Sequence, residues 1–292
     1  MEDRPEMKDG RTSITAIMPQ AASFGVVAAA RALYSRGANL FGRVYSLIVL
    51  LVLWELIALI IENPLFLPRL SDVLATIWAN LANGELVTDI GASMVRCLTG
   101  FTLALLIGAP LGILMGWSPK WDNFWNFIIS FTNPIPKLGL IPLFILWLGI
   151  GEASKVAVIL AAAMFPILIN TYNGVKGVNK LWIWRAATVG ATQGEMLHKV
   201  ILNAALPHIL TGARLGMAVA WIVLLGAEMV AAQTGLGFRI LYGQQTFDTR
   251  LVFSGLLTIA VIGFTFDRLI VALSSRMCRW YFSREDEPGA AQ

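Results

Sequence analysis

Side chains able to do covalent or acid–base chemistry are scarce in this chain. Its two histidines, His198 and His208, have no acidic companion at metal-ligand spacing and no HExxH arrangement, and they read as polar loop residues. Its two cysteines, Cys97 and Cys278, lie far apart and read as small apolar packing residues. No GxSxG nucleophile motif occurs. Phosphate-binding loops fail as well. GVKGVNK, Gly174 to Lys180, lacks the GxxxxGK[ST] spacing, and the GLG at Gly235 has no acidic residue in a strand context behind it. No catalytic set is expected.

Three carboxylates stand within or near the ends of long apolar runs: Glu55, Glu228 and Asp267. An ionised carboxylate at the centre of a bilayer costs at least about 3 kcal/mol, so each needs a partner or water. Asp267 adjoins Arg268 and can reach water; Glu55 follows Trp54 and is expected to face another helix. Glu228 either bonds to a neighbouring helix or lines a path through the membrane.

The elements that carry these residues are set by composition. The 292 residues are 57% hydrophobic and 14% charged, with mean hydropathy +0.70. A soluble domain carries about a quarter charged residues, so lipid is the solvent for much of this chain. The net charge of +4 fits the Lys and Arg excess of cytoplasmic loops better than a nucleic-acid partner. Candidate spans are Val44–Ile61, Leu98–Trp117, Phe127–Ile150, Lys155–Tyr172, Gly212–Ala232 and Leu251–Leu273. All must be helices, since an isolated span can satisfy its backbone only internally. Gly108, Pro110, Gly112 and Gly116 make the second span one that another helix can approach closely. Pro134, Pro136 and Pro142 make the first half of the third irregular.

Six spans place both ends on one side. Arg31, Arg36 and Arg43 before the first span, and Arg276, Arg279 and Arg284 after the last, assign that side to the cytoplasm. Residues 1–43 read as a cytoplasmic tail, 44–273 as the transmembrane domain and 274–292 as a second cytoplasmic tail. The loop Asn173 to Thr211 is then also inside, with Lys176, Lys180, Arg185 and Lys199 against Glu195. The first outer loop, Glu62 to Cys97, holds Arg69 and Arg96 as its basic residues. Within it, SDVLATIWANLANG predicts a surface helix capped by Ser71 or Asp72, with Val73, Leu74, Ile77, Trp78 and Leu81 on one face and Asn83-Gly84 at its end.

The inner loop interrupts the apolar sequence with WRAATVGATQGEMLHKVILNAALPHI, Trp184 to Ile209. Trp182 and Trp184 mark a helix leaving lipid. Ala186, Ala187, Gly190 and Ala191 leave the backbone open to close packing by another protein, and Gly190 predicts a bend or a contact. Helical periodicity resumes from Gln193 to Asn203, with Met196, Leu197, Val200 and Ile201 on one side, and Pro207 is expected to reset the chain before the fifth span. The result is a short, bent helical pair, which could equally lie on the membrane surface.

The chain resembles the permease subunits of ATP-binding cassette (ABC) importers, in the group handling nitrate, sulfonates, taurine and bicarbonate. The family's Glu-Ala-Ala signature, with its glycine six positions on, maps to Trp184, Arg185, Ala186 and Gly190, followed by Val200 to Asn203. Further matches are FLPRLSDVL near Phe66, SMVRCLTGF, NPIPKLGLIPLFILWLGIGE from Asn133 to Glu152, AALPHILTGARLG from Ala204 to Gly216, and GAEMVAAQTGLGF from Gly226 to Phe238. Trp184 in place of glutamate and Asn203 in place of proline are departures; Arg185 or Lys199 would offer different contacts to a partner.

The resemblance implies an all-α polytopic protein of about six transmembrane helices, with the type I ABC importer permease fold and a cytoplasmic coupling helix in the 173–211 loop. It implies an ATPase-coupling site of Trp184, Arg185, Ala186, Ala187, Gly190, Ala191 and Gly194, and a translocation path including Pro134, Pro136 and Glu228. For Glu228 the structural role is favoured, because a carboxylate is a poor direct ligand for an anion. Expected partners are a second copy, two cytoplasmic ATPase subunits that bind ATP and Mg, an extracytoplasmic binding protein and the lipid of a bacterial inner membrane. No cofactor in the chain itself and no nucleic acid are expected. The alternative is an ion-gradient-driven transporter, which would place titratable groups mid-membrane within inverted repeats.

Overall fold

The computed structural model describes residues 45–278 and Trp280. The tail at 1–43, most of the tail at 274–292, and Arg31, Arg36, Arg43, Arg279 and Arg284 lie outside the described residues. Every regular element among the described residues is helical, as the composition requires.

Two units are distinguished, the first ending at Glu62. Its described part is helix α1, Tyr45–Ile61. It stops at Glu62, which takes a positive φ of 51°, just before Asn63-Pro64; a proline disfavours helical geometry in the residue preceding it.

The second unit, from Asn63, contains α2 (Leu70–Ala82), α3 (Glu85–Trp117), α4 (Pro119–Thr132), a 3₁₀ turn (Lys137–Leu140), α5 (Ile141–Leu148) and α6 (Glu152–Lys176). There follow α7 (Lys180–Thr188), the single turn α8 (Gln193–Glu195), a π-helical turn (Met196–Ile201), α9 (Leu202–Ala231), α10 (Leu236–Gln245) and α11 (Thr249–Met277). Four stretches among the described residues are long and apolar enough to cross a membrane: α3, α6, Gln193–Ala231 and α11. A fifth is α4 with the 3₁₀ turn and α5, bent by 88°. The third span expected from sequence is therefore two helices meeting at a corner, because Pro134 and Pro136 remove two ladder donors within three residues.

The core is a seam of three helices. Helix α6 lies between α3 and α9, and glycines set the spacing on both sides. A Cβ on Gly112 would stand 2.7 Å from the Leu168 carbonyl, and one on Gly216 would stand 2.7 Å from Ile167 Cγ1. The close approach buries Ile159, Ala163, Ile167, Ala220 and Leu224. Between spans in lipid, such a seam is held by close van der Waals packing around small residues rather than by transfer of apolar area out of water.

Three expectations are corrected. The segment Glu62 to Cys97 is not one outer loop: α3 already begins at Glu85, so Arg96 lies inside the bundle, 4% exposed. Helix α2 starts at Leu70 with Arg69 at the cap, placing Asp72 in its first turn; Val73 is buried while Leu74 and Trp78 are exposed. Pro207 does not reset the chain but lies inside α9, buried, with Thr211 Oγ1 donating to its carbonyl at 2.9 Å. Interior proline costs about 3 kcal/mol; packing of Ala205, Gly212 and Gly216 on α6 and its neighbours outweighs it.

Candidate functional site

The inner segment forms a two-part elbow. Helix α7 begins at Asn179, whose side chain accepts from Leu181 N–H at 2.9 Å. It ends in a Schellman motif, with Gly190 N–H bonded to Ala187 O at 3.0 Å and Ala191 N–H to Ala186 O at 3.1 Å. Gly190 takes φ 82°, which glycine adopts without penalty. Thr192 then starts the next helix with a capping box: its hydroxyl accepts from Glu195 N–H, and Glu195 accepts from Thr192 N–H at 3.0 Å. Lys199 pairs with Glu195 at 2.9 Å, and Asn203 donates to the Lys199 carbonyl at 2.8 Å. Every turn of the elbow is thus fixed by its own sequence.

Its surface is open. Helix α7 has no buried residue; Trp184 is 63% and Val189 84% exposed. Arg185, Ala187, Gly190 and Gly194 are exposed, Ala186 and Ala191 partly so. A Cβ on Gly190 would meet nothing within 4 Å, so this glycine serves the bend and leaves space around it. The base is anchored: Ile183 and Leu197 pack on the cluster of Val175, Val178, Ile201 and Ala205, which ties the elbow to the ends of α6 and α9. His208 packs over Gly174 at the same end. Asp122 of α4 and Lys176 of α6 also meet here, at 2.6 Å.

A second feature is the corner between α4 and the 3₁₀ turn. Pro134 and Pro136 are both exposed on it. The Lys137 ammonium folds back and donates to the carbonyls of Thr132 at 2.8 Å, Asn133 at 3.0 Å and Ile135 at 3.0 Å. It thereby caps the C-terminal carbonyls of α4 and lies 4.2 Å above the Phe165 ring of α6. Leu138 packs over Gly226 of α9.

The third feature assembles residues from four helices. At the end of the bundle opposite the elbow, Asp89, Ser93 and Arg96 form a stripe at helical spacing on α3, all buried. Arg96 forks onto Glu152 at the start of α6, at 2.5 and 2.8 Å, and reaches Glu228 of α9 at 2.7 Å and the Thr234 carbonyl at 2.6 Å. Glu228 also accepts from Ser93 at 2.8 Å and from Gly237 N–H at 2.9 Å. Asp89 accepts from Gly235 N–H at 2.8 Å and from Arg239 Nε at 2.6 Å. Leu236 N–H donates to Ser93 at 2.9 Å. The first amides of α10 are thus bound by anionic or hydroxyl oxygens, as the helix dipole favours. A Cβ at Gly235, where φ is 123°, would stand 2.5 Å from Glu228 Oε1. The GLG triplet is a structural seat for a carboxylate.

The structure therefore brings the elbow residues together at one end, puts Pro134 and Pro136 at the corner, and places Glu228 with Arg96 at the other end. Asp267, expected beside Arg268, also pairs with Arg214 of α9, at 2.5 Å. Cys97 and Cys278 are buried and free. Among the described residues no group of three or more His, Cys, Asp or Glu could hold a metal.

These features occur in a known setting. Residues 104–279 match the family described as "Binding-protein-dependent transport system inner membrane component". The taurine transport system permease protein TauC of Escherichia coli is 36% identical over 251 residues, 81% of this chain and 88% of that protein. An ABC transporter permease protein of Methanocaldococcus jannaschii is 37% identical, covering 78% of this chain and 88% of its own length. An aliphatic sulfonates transport permease, SsuC of Bacillus subtilis, is 33% identical over 81% of this chain and 86% of its own length. A chain of the inward-facing MetNI methionine ABC transporter shares the fold, with TM-score 0.56 at 20% identity, over 67% of this chain and 95% of that one. Of the two transport classes left open by the sequence, the binding-protein-dependent one holds: this chain is a multi-pass membrane permease of the binding-protein-dependent ABC importer family, with the type I permease fold.

Proposed function

We propose that this permease carries a small sulfonate, zwitterionic taurine or an anionic alkanesulfonate, inward, with nitrate or bicarbonate as the second choice. Two copies form the path, an extracytoplasmic protein delivers the substrate, and two cytoplasmic ATPase subunits bind ATP and Mg and do the hydrolysis. Both termini and the elbow face the cytosol, with 44–273 as the membrane domain between two short tails. The substrate class rests on the similarity to the taurine and sulfonate permeases.

The coupling role rests on one observation, the exposed elbow fixed by a Schellman turn and a capping box. Trp184, Arg185, Ala186, Ala187, Gly190, Ala191 and Gly194 form the surface that seats in an ATPase groove. Movement of the ATPase dimer is delivered through Ile183 and Leu197 to the ends of α6 and α9, which shift as rigid bodies. Pro134 and Pro136 line the path; Glu228 acts by holding α10 rather than by touching substrate.

Gly190→Trp tests this reading. Tryptophan is strained at φ 82° and projects into the space left for the partner. The ATPase subunit should co-purify with the wild-type chain and be lost from the variant. Full ATP-driven uptake by the variant would contradict the assignment.

A further inference from the structure

We propose that Lys137 is the fixed cation of the translocation path and selects for anions there. The inference deepens the reading of the preceding subsection and rests on it. Depth comes first. The Lys137 ammonium lies over Phe165, near the middle of α6, which runs Glu152–Lys176. At 1.5 Å per residue, about 20 Å of helix separates Phe165 from one end and about 17 Å from the other. Lys137 is therefore near mid-membrane.

Its surroundings fix which solvent it meets. Residues 133–136 are non-helical and exposed, and Leu138 and Gly139 of the 3₁₀ turn are exposed beside Lys137. Irregular backbone at membrane depth is tolerated where it is buried in protein or lines a water-filled cavity, not against lipid. A lysine at that depth carries the same restriction. The exposed side of the corner therefore faces away from lipid, toward the path that the two copies form.

Charge supplies the selectivity. Among the described residues Lys137 has no carboxylate within ion-pair range: its three donors go to backbone carbonyls. The carbonyls orient the ammonium without cancelling its charge. The buried cations behave differently, since Arg96, Lys155 and Arg239 each have carboxylate partners. The corner thus presents a net positive centre, held rigidly on the C-terminus of α4, beside the two exposed prolines. A sulfonate passing it gains a favourable charge interaction at the depth where leaving bulk water costs most.

The test uses the complete importer, this chain with its ATPase and binding protein, reconstituted in liposomes, and labelled taurine and ethanesulfonate as probes. Lys137→Cys should lower uptake about tenfold, a loss of one favourable charge contact. Treatment with aminoethyl methanethiosulfonate returns an ammonium at lysine-like reach and should restore most of the uptake. Methyl methanethiosulfonate adds bulk without charge and should not. Saturating taurine should slow the modification, which a role confined to capping α4 would not produce. Wild-type protein, whose Cys97 and Cys278 are buried, should be unaffected by both reagents. Uptake by Lys137→Cys at the wild-type rate would overturn the proposal, as would modification by a lipid-soluble maleimide but not by the charged reagent. If wild-type protein imports neither probe, the substrate reading fails, and reagent access at position 137 still decides whether that residue faces the path.

Discussion

Arg96 of α3 holds Glu228 of α9 at 2.7 Å with both side chains buried, 5% and 1% exposed. The pair, with the Ser93–Glu228 hydrogen bond beside it, joins the two helices and seats α10 across their ends. Removing one member of a buried pair leaves an uncompensated charge, at a cost of about 3–5 kcal/mol. Arg96→Met should therefore lower the melting temperature of the purified permease sharply. The double variant Arg96→Met with Glu228→Met should recover part of that loss, as measured by a thermal double-mutant cycle; strict additivity would show that the two residues are energetically separate.

Glu228→Gln is a milder test of the same end. The amide keeps the shape but loses the charge facing Arg96, and it brings a donor to a site filled by donors from Ser93 and Gly237. The complex should still assemble with its ATPase, but uptake in vesicles should fall because α10 is less firmly held. Normal uptake would show that the seat is not needed for transport.

Gly235→Ala should detach α10, because the added methyl would lie 2.5 Å from Glu228 Oε1 and the backbone there has φ 123°. Gly263→Ala provides the contrast. That glycine is inside α11 with nothing within 4 Å of its Cβ position, and alanine in a helix interior is favoured by about 0.5–1 kcal/mol. Limited proteolysis around residues 232–248 should accelerate in the first variant alone.

Gly112→Val tests the α3–α6 seam. Its Cβ position lies 2.7 Å from the Leu168 carbonyl and 2.8 Å from Thr171 Cβ. Overpacking of this kind costs about 1–3 kcal/mol, visible as a lower melting temperature in detergent. An unchanged melting temperature would show that the helices separate freely.

Much of the fold was legible because its signals are local. Apolar runs gave the helices, the glycines of the second span gave the close seam with α6, and Gly190 gave the elbow's bend. The Thr192-x-x-Glu195 capping box is equally local, a spacing legible in the sequence. The ionic end, by contrast, was hidden. Its members come from α3, α6, α9 and α10, and placing residues up to Cys97 in a loop removed Asp89, Ser93 and Arg96 from any helix. Extending helical periodicity back from Arg96 to Asp89 would have exposed a polar stripe in an apolar helix. Pro207 was misread because tertiary packing overrode a local preference. The corner at Pro134 and Pro136 was foreseen as irregular, but the back-folded Lys137 required coordinates: nothing in spacing says that one ammonium reaches three carbonyls.

The proposed coupling role requires that the elbow protrude into the cytosol and be covered there by an ATPase. Val189, 84% exposed beside the Gly190 bend, is the place to measure it. In cells producing Val189→Cys, a membrane-impermeant maleimide should label inverted vesicles but not intact cells, and co-expression of the cognate ATPase should block the labelling. Labelling of intact cells, or labelling of inverted vesicles undiminished by the ATPase, would contradict it.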